Sequence, residues 1–103
     1  MVAYNPEYRM MHSAILIKDK LYVTGGYVHG PQDRFYLDTF YLDLSSNFTL
    51  YEPQFVNDMT TPNLSVATYN MAYAVGGLDN ATIFILGGFN EVSKFFGINT
   101  IVI

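Results

Sequence analysis

Short runs of apolar residues alternate with polar residues and glycines along the whole chain. Each run is rich in β-branched and aromatic residues, and no segment shows a 3.6-residue apolar period over ten or more positions. In the first half, four runs have the character of strands: 13–18, 21–24, 39–44 and 48–51. Turn-forming residues separate them at 19–20, 25–26 and 45–47. This pattern predicts a four-stranded antiparallel meander.

The same meander recurs in the second half of the chain. The hexapeptide LYVTGG at 21–26 is matched by IFILGG at 83–88, 62 positions later. Further segments complete the second copy: 66–69 with 71–75 as its first strand, 76–80 as a hairpin turn, and 98–103 as its third strand. Consecutive glycines permit positive φ and a close approach of neighbouring backbones, which suits a strand that ends abruptly. The repeat predicts two copies of one β-meander, the second ending on its third strand.

Several positions of this repeat resemble the kelch repeat. They are an Arg and a His ahead of the first strand, a diglycine after the second, and two later aromatic residues: Arg9, His12, Gly25, Gly26, Tyr41, Phe48, Gly87 and Gly88. The kelch pattern usually has Trp where this chain has Phe48. Residues 6–103, with FYLDLSSNF and VGGLDNATIFILGG, more narrowly resemble fungal kelch-type proteins related in fold to the central domain of galactose oxidase.

The resemblance implies an all-β chain whose antiparallel four-stranded meanders are blades of a kelch-type β-propeller. It divides the chain into a lead-in or inter-blade connector at 1–11, blade 1 at 12–52, an inter-blade loop at 53–63, and blade 2 at 64–103 without its outer strand. Propellers typically close with about four to eight blades, so about two blades leave the ring incomplete. The chain is expected to be a fragment of a longer propeller or to complete a ring by self-association, because apolar blade faces favour association with neighbouring blades.

Composition favours a packed core and argues against several classes of partner. Half of the residues are apolar and 17% are aromatic, the opposite of a disordered chain. The net charge is −4 and the five basic residues are scattered, so nucleic-acid binding is not expected. No run of about 18 apolar residues occurs, so no membrane span is predicted. Without Cys the chain has no disulfide, no thiolate nucleophile and no Cys-based metal site.

The relationship to galactose oxidase implies a copper enzyme, which the residues do not support. That family uses copper with a Tyr radical cross-linked to Cys, and this chain contains no Cys. Its two histidines, His12 and His29, are 17 positions apart, so no metal or other cofactor is predicted. His12 is instead expected to order the connection between blades through hydrogen bonds. Asp38 and Asp43 bracket a strand and are expected to be solvated acids rather than a catalytic pair.

The loop at 27–36 carries the main binding candidates. It joins the second and third strands, from which kelch propellers commonly present side chains to partners, and it combines aromatic residues with Arg, as interface hot spots do. Its candidate residues are Tyr27, His29, Gln32, Asp33, Arg34 and Tyr36. The equivalent loop at 89–97 adds Glu91, Lys94 and Phe95. The alternative is a solvated connector whose aromatic residues cover a blade edge.

Together these features favour a non-catalytic kelch propeller segment that binds a protein or carbohydrate partner through its blade loops. The alternative is part of a galactose-oxidase-like enzyme whose catalytic residues lie outside this chain. Three N-x-[ST] sequons, at Asn47, Asn63 and Asn80, fall in predicted turns or connectors and suit a secreted or cell-surface parent protein. The N-terminal sequence lacks the features of a signal peptide. The sequence therefore leaves the compartment and the ligand open.

Overall fold

The structure is a computed structural model that describes residues 4–45, 47–48, 51–57, 61–64, 67–90 and 98–102. Within these ranges every regular element is a β-strand. The strands are β1 (Ser13–Ile17), β2 (Lys20–Thr24), β3 (Tyr27–Val28), β4 (Arg34–Phe35), β5 (Thr39–Asp43), β6 (Phe55–Val56), β7 (Thr68–Tyr69), β8 (Ala72–Gly76), β9 (Thr82–Leu86), β10 (Phe89–Asn90) and β11 (Ile98–Val102).

Two antiparallel meanders form the body of the fold. The first sheet has the strand order β1-β2-β5-β6, and the second sheet has the order β8-β9-β11. Two short ribbons lie outside these sheets, one formed by β3 with β4 and the other by β7 with β10. The prediction of an all-β chain built from antiparallel sheets is confirmed. The kelch-type blade, the propeller and the blade boundaries stay predictions.

The turn of the first hairpin differs by one residue from its predicted position. Lys18 and Asp19 form it, because Ile17 pairs with Lys20 across the two strands. Lys18 has a φ of 56°, which lets the chain reverse there without a glycine. This register keeps Ile15 and Ile17 on the buried face of β1. The predicted turn at 19–20 would pair Ile17 with Tyr22 and leave both isoleucines on the same face, so the two turns differ in cross-strand partners and not in which face is buried.

The fourth strand of the first sheet is β6, whereas the sequence predicts that strand seven residues earlier. At the predicted position Phe48 lies outside any strand, and Tyr51 lies in a turn with 97% of its surface exposed. Phe55 of β6 instead places its ring edge-on against buried Phe40, with the centroids 5.3 Å apart. This aromatic contact provides burial that Phe48 and Tyr51 lack, and it accounts for the position of β6 in the sheet.

The N-terminal segment adds to the outer edge of the first sheet. The backbone nitrogen of Tyr4 donates to the carbonyl oxygen of Phe55 at 2.9 Å, forming an isolated antiparallel bridge. The Tyr4 ring also lies 5.5 Å from that of Phe40. The chain therefore covers part of the edge of β6 with its own N-terminal residues.

A hydrophobic core lies between the two sheets. The first sheet contributes Ile15, Ile17 and Tyr22, and the second contributes Ile83 and Ile85. Buried and exposed residues alternate along β1, so one of its faces points into this core. Ile15 and Ile83 have no exposed surface, and burial of each such side chain contributes about 1.5–3 kcal/mol. The two sheets therefore pack face to face.

Both diglycines end their strands with positive φ. The φ angles are 72° and 102° at Gly25 and Gly26, and 68° and 81° at Gly87 and Gly88. A β-carbon at Gly25 would overlap the carbonyl oxygen of Thr68, in the segment that leads into the second sheet. Glycine is therefore needed at Gly25 for both backbone conformation and space. The nitrogen of Gly26 donates to the same carbonyl oxygen at 2.9 Å, which ties the two repeats together.

Candidate functional site

Four aromatic side chains form a continuous group across the two ribbons; we call Phe35, Tyr27, Tyr69 and Phe89 the aromatic row. Phe35 contacts both Tyr27 and Tyr69, the latter with centroids 5.8 Å apart. Within the first ribbon Tyr27 and Phe35 are cross-strand partners with ring centroids 6.1 Å apart. Within the second ribbon Tyr69 and Phe89 are partners at 5.7 Å. Tyr27 and Tyr69 join the ribbons, with centroids 4.4 Å apart. The row therefore runs across the junction of the two repeats.

The position of the aromatic row follows from the diglycines. β3 begins directly after Gly25 and Gly26, and β10 begins directly after Gly87 and Gly88, so each ribbon starts where a main strand has been ended. Phe89 at one end of the row is 46% exposed, while its other three rings are half-buried. Such a row offers flat apolar area with two phenol hydroxyls, the surface chemistry of protein interface anchors.

Charged side chains flank the first ribbon in exposed pairs. His29 Nδ1 lies 3.0 Å from an oxygen of Asp33. Arg34 donates to Glu7 Oε2 at 3.0 Å, and the Tyr36 hydroxyl donates to the same oxygen at 2.9 Å. Burial, followed by the hydrogen bond to Glu7, raises the pKa of Tyr36. Exposed ion pairs contribute little to folding, so their partners can be exchanged at low cost when another molecule binds.

A cavity of about 390 Å³ lies beside this ribbon. Its lining residues combine one ion pair with two phenol rings and one aliphatic side chain: Glu7, Tyr8, Val28, Arg34 and Tyr36. Two predicted loop residues, Arg34 and Tyr36, thus line a concave surface next to the aromatic row. A second cavity, of about 310 Å³, lies at the other end of the strands between the turn at 18–19 and Asp79.

A buried ion pair supports the first ribbon from below. Arg9 donates from both terminal nitrogens to Asp38, at 2.6 and 3.0 Å, and its side chain is 4% exposed. The guanidinium also lies 4.2 Å from the centroid of the Tyr36 ring and donates to the carbonyl oxygen of Gly25 at 3.3 Å. Arg9 therefore connects the N-terminal segment, the diglycine and the loop that carries the candidate residues.

The prediction that Asp38 is a solvated acid is wrong. Besides the two bonds from Arg9, it accepts a hydrogen bond from the Tyr4 hydroxyl. Burial alone would raise the pKa of Asp38, but the hydrogen bonds from Arg9 and Tyr4 outweigh burial and lower it. Burial and then the bond to Asp38 raise the pKa of Tyr4 to about 12. Asp43, in contrast, is an acid at a strand end whose pKa is lowered by hydrogen bonds from Ser45.

His12 differs from its expected role. The residue is partly exposed, and partial burial of its ring, followed by the nearby Arg9 charge, lowers the pKa of His12. Among the described residues Arg9 donates side-chain hydrogen bonds to Gly25 and Asp38, while the Cβ of His12 lies close to Gly26. Arg9 thus ties the N-terminal segment to the first repeat, and His12 packs beside Gly26.

The remaining predicted residues occupy varied positions. Gln32 is exposed, Tyr41 packs against Tyr22 with centroids 5.4 Å apart, and Phe48 is exposed. The sequon residues Asn47, Asn63 and Asn80 are exposed. The predicted loop residues Glu91, Lys94 and Phe95 lie outside the described residues.

Sequence reasoning did not identify Tyr69 and Phe89, which complete the aromatic row. A signal for Phe89 is present in the repeat, because Phe89 follows its diglycine as Tyr27 follows the first, 62 positions earlier. Tyr69 carries no comparable signal, because its position depends on how the two repeats pack together.

The described part of the chain holds no group of three or more His, Cys, Asp or Glu side chains arranged to bind a metal ion. It also contains no helix with the length and hydropathy of a membrane span. Comparison of the chain with protein families, with curated proteins and with solved structures found no match.

Proposed function

We propose that the chain is a non-catalytic, kelch-type propeller segment that binds a protein partner through the aromatic row and the adjoining loop at 27–36. The observation that carries this proposal is the continuity of the row from one repeat to the next, ending on the 46% exposed ring of Phe89. If the row served only to cover the edge of a sheet, the exposed ring of Phe89 at its end would have no part in that role.

The kelch-type assignment is supported by the equivalence of the two repeats. In each, the second strand of a meander ends at a diglycine with positive φ and a short ribbon follows. Two equivalent sheets packed face to face on a shared core match the stacking expected of neighbouring blades.

A protein partner is favoured by the residues beside the aromatic row. Tyr, Phe and Arg are enriched at protein interfaces, and a polar rim usually surrounds their apolar centre. Here Arg34 with Glu7, and His29 with Asp33, form exposed pairs around the first ribbon. A carbohydrate could also stack on these rings, so the experiment below includes both classes of ligand.

The labelled chain is screened against a displayed library of random peptides and against an array of defined glycans. We expect selected peptides to bind, and Phe89→Ala to weaken binding of the best peptide by at least about tenfold. The half-exposed position of Phe89 limits the effect of this change on folding. Tyr51→Ala, which removes a 97% exposed aromatic ring outside the row, is the matched control and should bind as the parent does.

Each contrary outcome has a definite meaning. Binding to glycans alone would replace the protein partner by a carbohydrate. Equal binding by the parent and Phe89→Ala would remove the aromatic row from the site. No binding to either array would contradict the proposed function as a whole.

A further inference from the structure

In the shared core the first sheet buries the face that carries Ile15 and Tyr22, and the second sheet buries Ile83 and Ile85 of β9. Tyr73 and Val75 of β8, on that same side of the second sheet, are 45% and 39% exposed. The opposite face of each sheet, its outer face, is open.

The outer face of the first sheet carries Leu16, Leu21, Val23 and Leu42, and that of the second carries Ala72, Ala74, Phe84 and Leu86. Residues paired across neighbouring strands lie on the same side of a sheet, which places each set together. Leu16 is 58% exposed and Leu86 is 44% exposed. Both outer faces therefore present apolar side chains to solvent.

Among the described side chains the outer faces carry no charged group, and Thr82 of the second sheet is their polar residue. An antiparallel sheet with one wet face alternates apolar and polar residues along each strand. In the first sheet the charged residues of β2 and β5, Lys20 and Asp43, pair with each other on the buried side instead. Tyr4 covers only the Phe40 end of the first outer face, and Leu16 marks the open end. The composition of these faces is that of a buried surface.

The repeat spacing relates each outer face to the buried face of the other sheet. Phe84 lies 62 positions after Tyr22, and Ile83 lies 62 positions after Leu21. Tyr22 and Ile83 are buried between the sheets, whereas Phe84 is exposed and Leu21 lies on the first outer face. The equivalent strands β2 and β9 thus bury opposite faces, which means that the sheets pack head to tail. This arrangement leaves unpaired the face of the first sheet that carries Leu21 and the face of the second sheet that carries Phe84.

We propose that a second copy of this chain occupies these surfaces, with the second sheet's outer face of one copy against the first sheet's outer face of the next. This contact repeats the interface already present between the two sheets of one chain. Phe84 of one copy lies where Tyr22 lies in that interface, and Leu21 of the next copy lies where Ile83 lies. A head-to-tail contact does not close on itself in a dimer and produces a ring or an open filament. It is independent of the proposed partner of the aromatic row, which lies at the strand ends.

The test measures molar mass by light scattering over a wide range of protein concentrations. The parent chain should form species larger than a dimer as the concentration rises. Phe84→Lys and Leu16→Lys each place a charge on one outer face, and each variant alone should remain monomeric. A mixture of the two retains one intact pair of faces, so it should form a heterodimer and nothing larger. Leu78→Lys, a change from apolar to charged at an exposed hairpin turn, is the control and should assemble as the parent does.

Circular dichroism checks that each variant is folded, and Leu86→Lys replaces Phe84→Lys if the latter is not. A parent chain that stays monomeric at every concentration overturns the proposal. Dimers formed by Leu16→Lys alone would show a symmetric contact instead of a head-to-tail one. Loss of assembly in Leu78→Lys would show that general charge, rather than the outer faces, controls association.

Discussion

Replacing Asp38 by Asn removes the negative charge from a buried ion pair and keeps the size of the side chain. In the parent, Arg9 donates two hydrogen bonds to the carboxylate and Tyr4 donates a third. An amide offers one acceptor oxygen, and its NH₂ group must face at least one of these donors. The charged guanidinium of Arg9, whose side chain is 4% exposed, would then have no anion beside it.

The expected loss of stability is about 3 kcal/mol. Removing one partner of a buried pair costs about 3–5 kcal/mol, and the lower end applies because the Asp38 side chain is 20% exposed. For a chain of this size the whole free energy of unfolding is about 5–15 kcal/mol. The same change should lower the melting temperature by more than about 10 °C.

Urea unfolding followed by circular dichroism, at matched protein concentrations, measures this loss. Asp33→Asn is the matched control, because it makes the same substitution in an exposed pair with His29 and should cost less than about 0.5 kcal/mol. In the double variant with Arg9→Met, no charge is left unpaired. The loss in the free energy of unfolding of this double variant should be smaller than the sum of the two single losses by about 2 kcal/mol.

The pair also predicts a pH dependence with a definite sign. Because the folded pKa of Asp38 is lowered, its contribution is complete above the ordinary value of 3.8 and is lost as the pH falls through the folded pKa. The parent should therefore lose more stability than Asp38→Asn between about pH 4 and pH 2. A loss below about 1 kcal/mol in Asp38→Asn at pH 7, or equal acid sensitivity of the two proteins, would refute this reasoning.

Three further changes test the packing and the titration. Gly88→Val should lower the free energy of unfolding in urea by at least about 2 kcal/mol, because φ at this position is 81° and a β-carbon would lie 2.7 Å from the Tyr69 carbonyl oxygen. The control Gly30→Ala has space for its β-carbon and should leave stability unchanged. Ile85→Ala should cost about 2–5 kcal/mol by leaving a cavity in the shared core. Absorbance titration of tyrosinate should show a step at about pH 12 that Tyr4→Phe removes.

Each of these expectations has a contrary result. Equal stability of Gly88→Val and Gly30→Ala would show that the second diglycine does not need glycine. A loss below about 1 kcal/mol for Ile85→Ala would show that the two sheets do not share a tight core. If Tyr4→Phe instead removed a tyrosinate step at the ordinary value of 10.0, the hydroxyl would not be held by Asp38.

The main strands could be predicted because their pattern is local. The alternation in SAILI marks β1, and the repeated diglycine marks the ends of β2 and β9. The exact hairpin turn could not be predicted, since Lys18 takes a positive φ without being a glycine. The fourth strand was predicted wrongly because strand propensity favours 48–51, while the contact of Phe55 with Phe40 depends on tertiary packing.

The candidate site was less predictable, because its contacts join residues far apart in the chain. Arg9 and Asp38 are 29 positions apart, and only the fold brings the carboxylate to the guanidinium. The loop at 27–36 could be chosen from its mixture of aromatic and charged residues. Its extension into the second repeat through Tyr69 could not, because that contact exists only once the two sheets have packed.

The bridge between Tyr4 and Phe55 has a consequence for how the protein can aggregate. An unpaired outer strand exposes backbone groups that recruit strands from other molecules, the route that leads to amyloid-like growth. Here the chain's own N-terminal segment occupies the hydrogen-bonding position at Phe55 on β6. Proteolytic trimming of that segment would expose this edge and remove Arg9 from its pair with Asp38. The segment that carries Tyr4 and Arg9 therefore shields this edge of the first sheet from pairing with strands of other molecules.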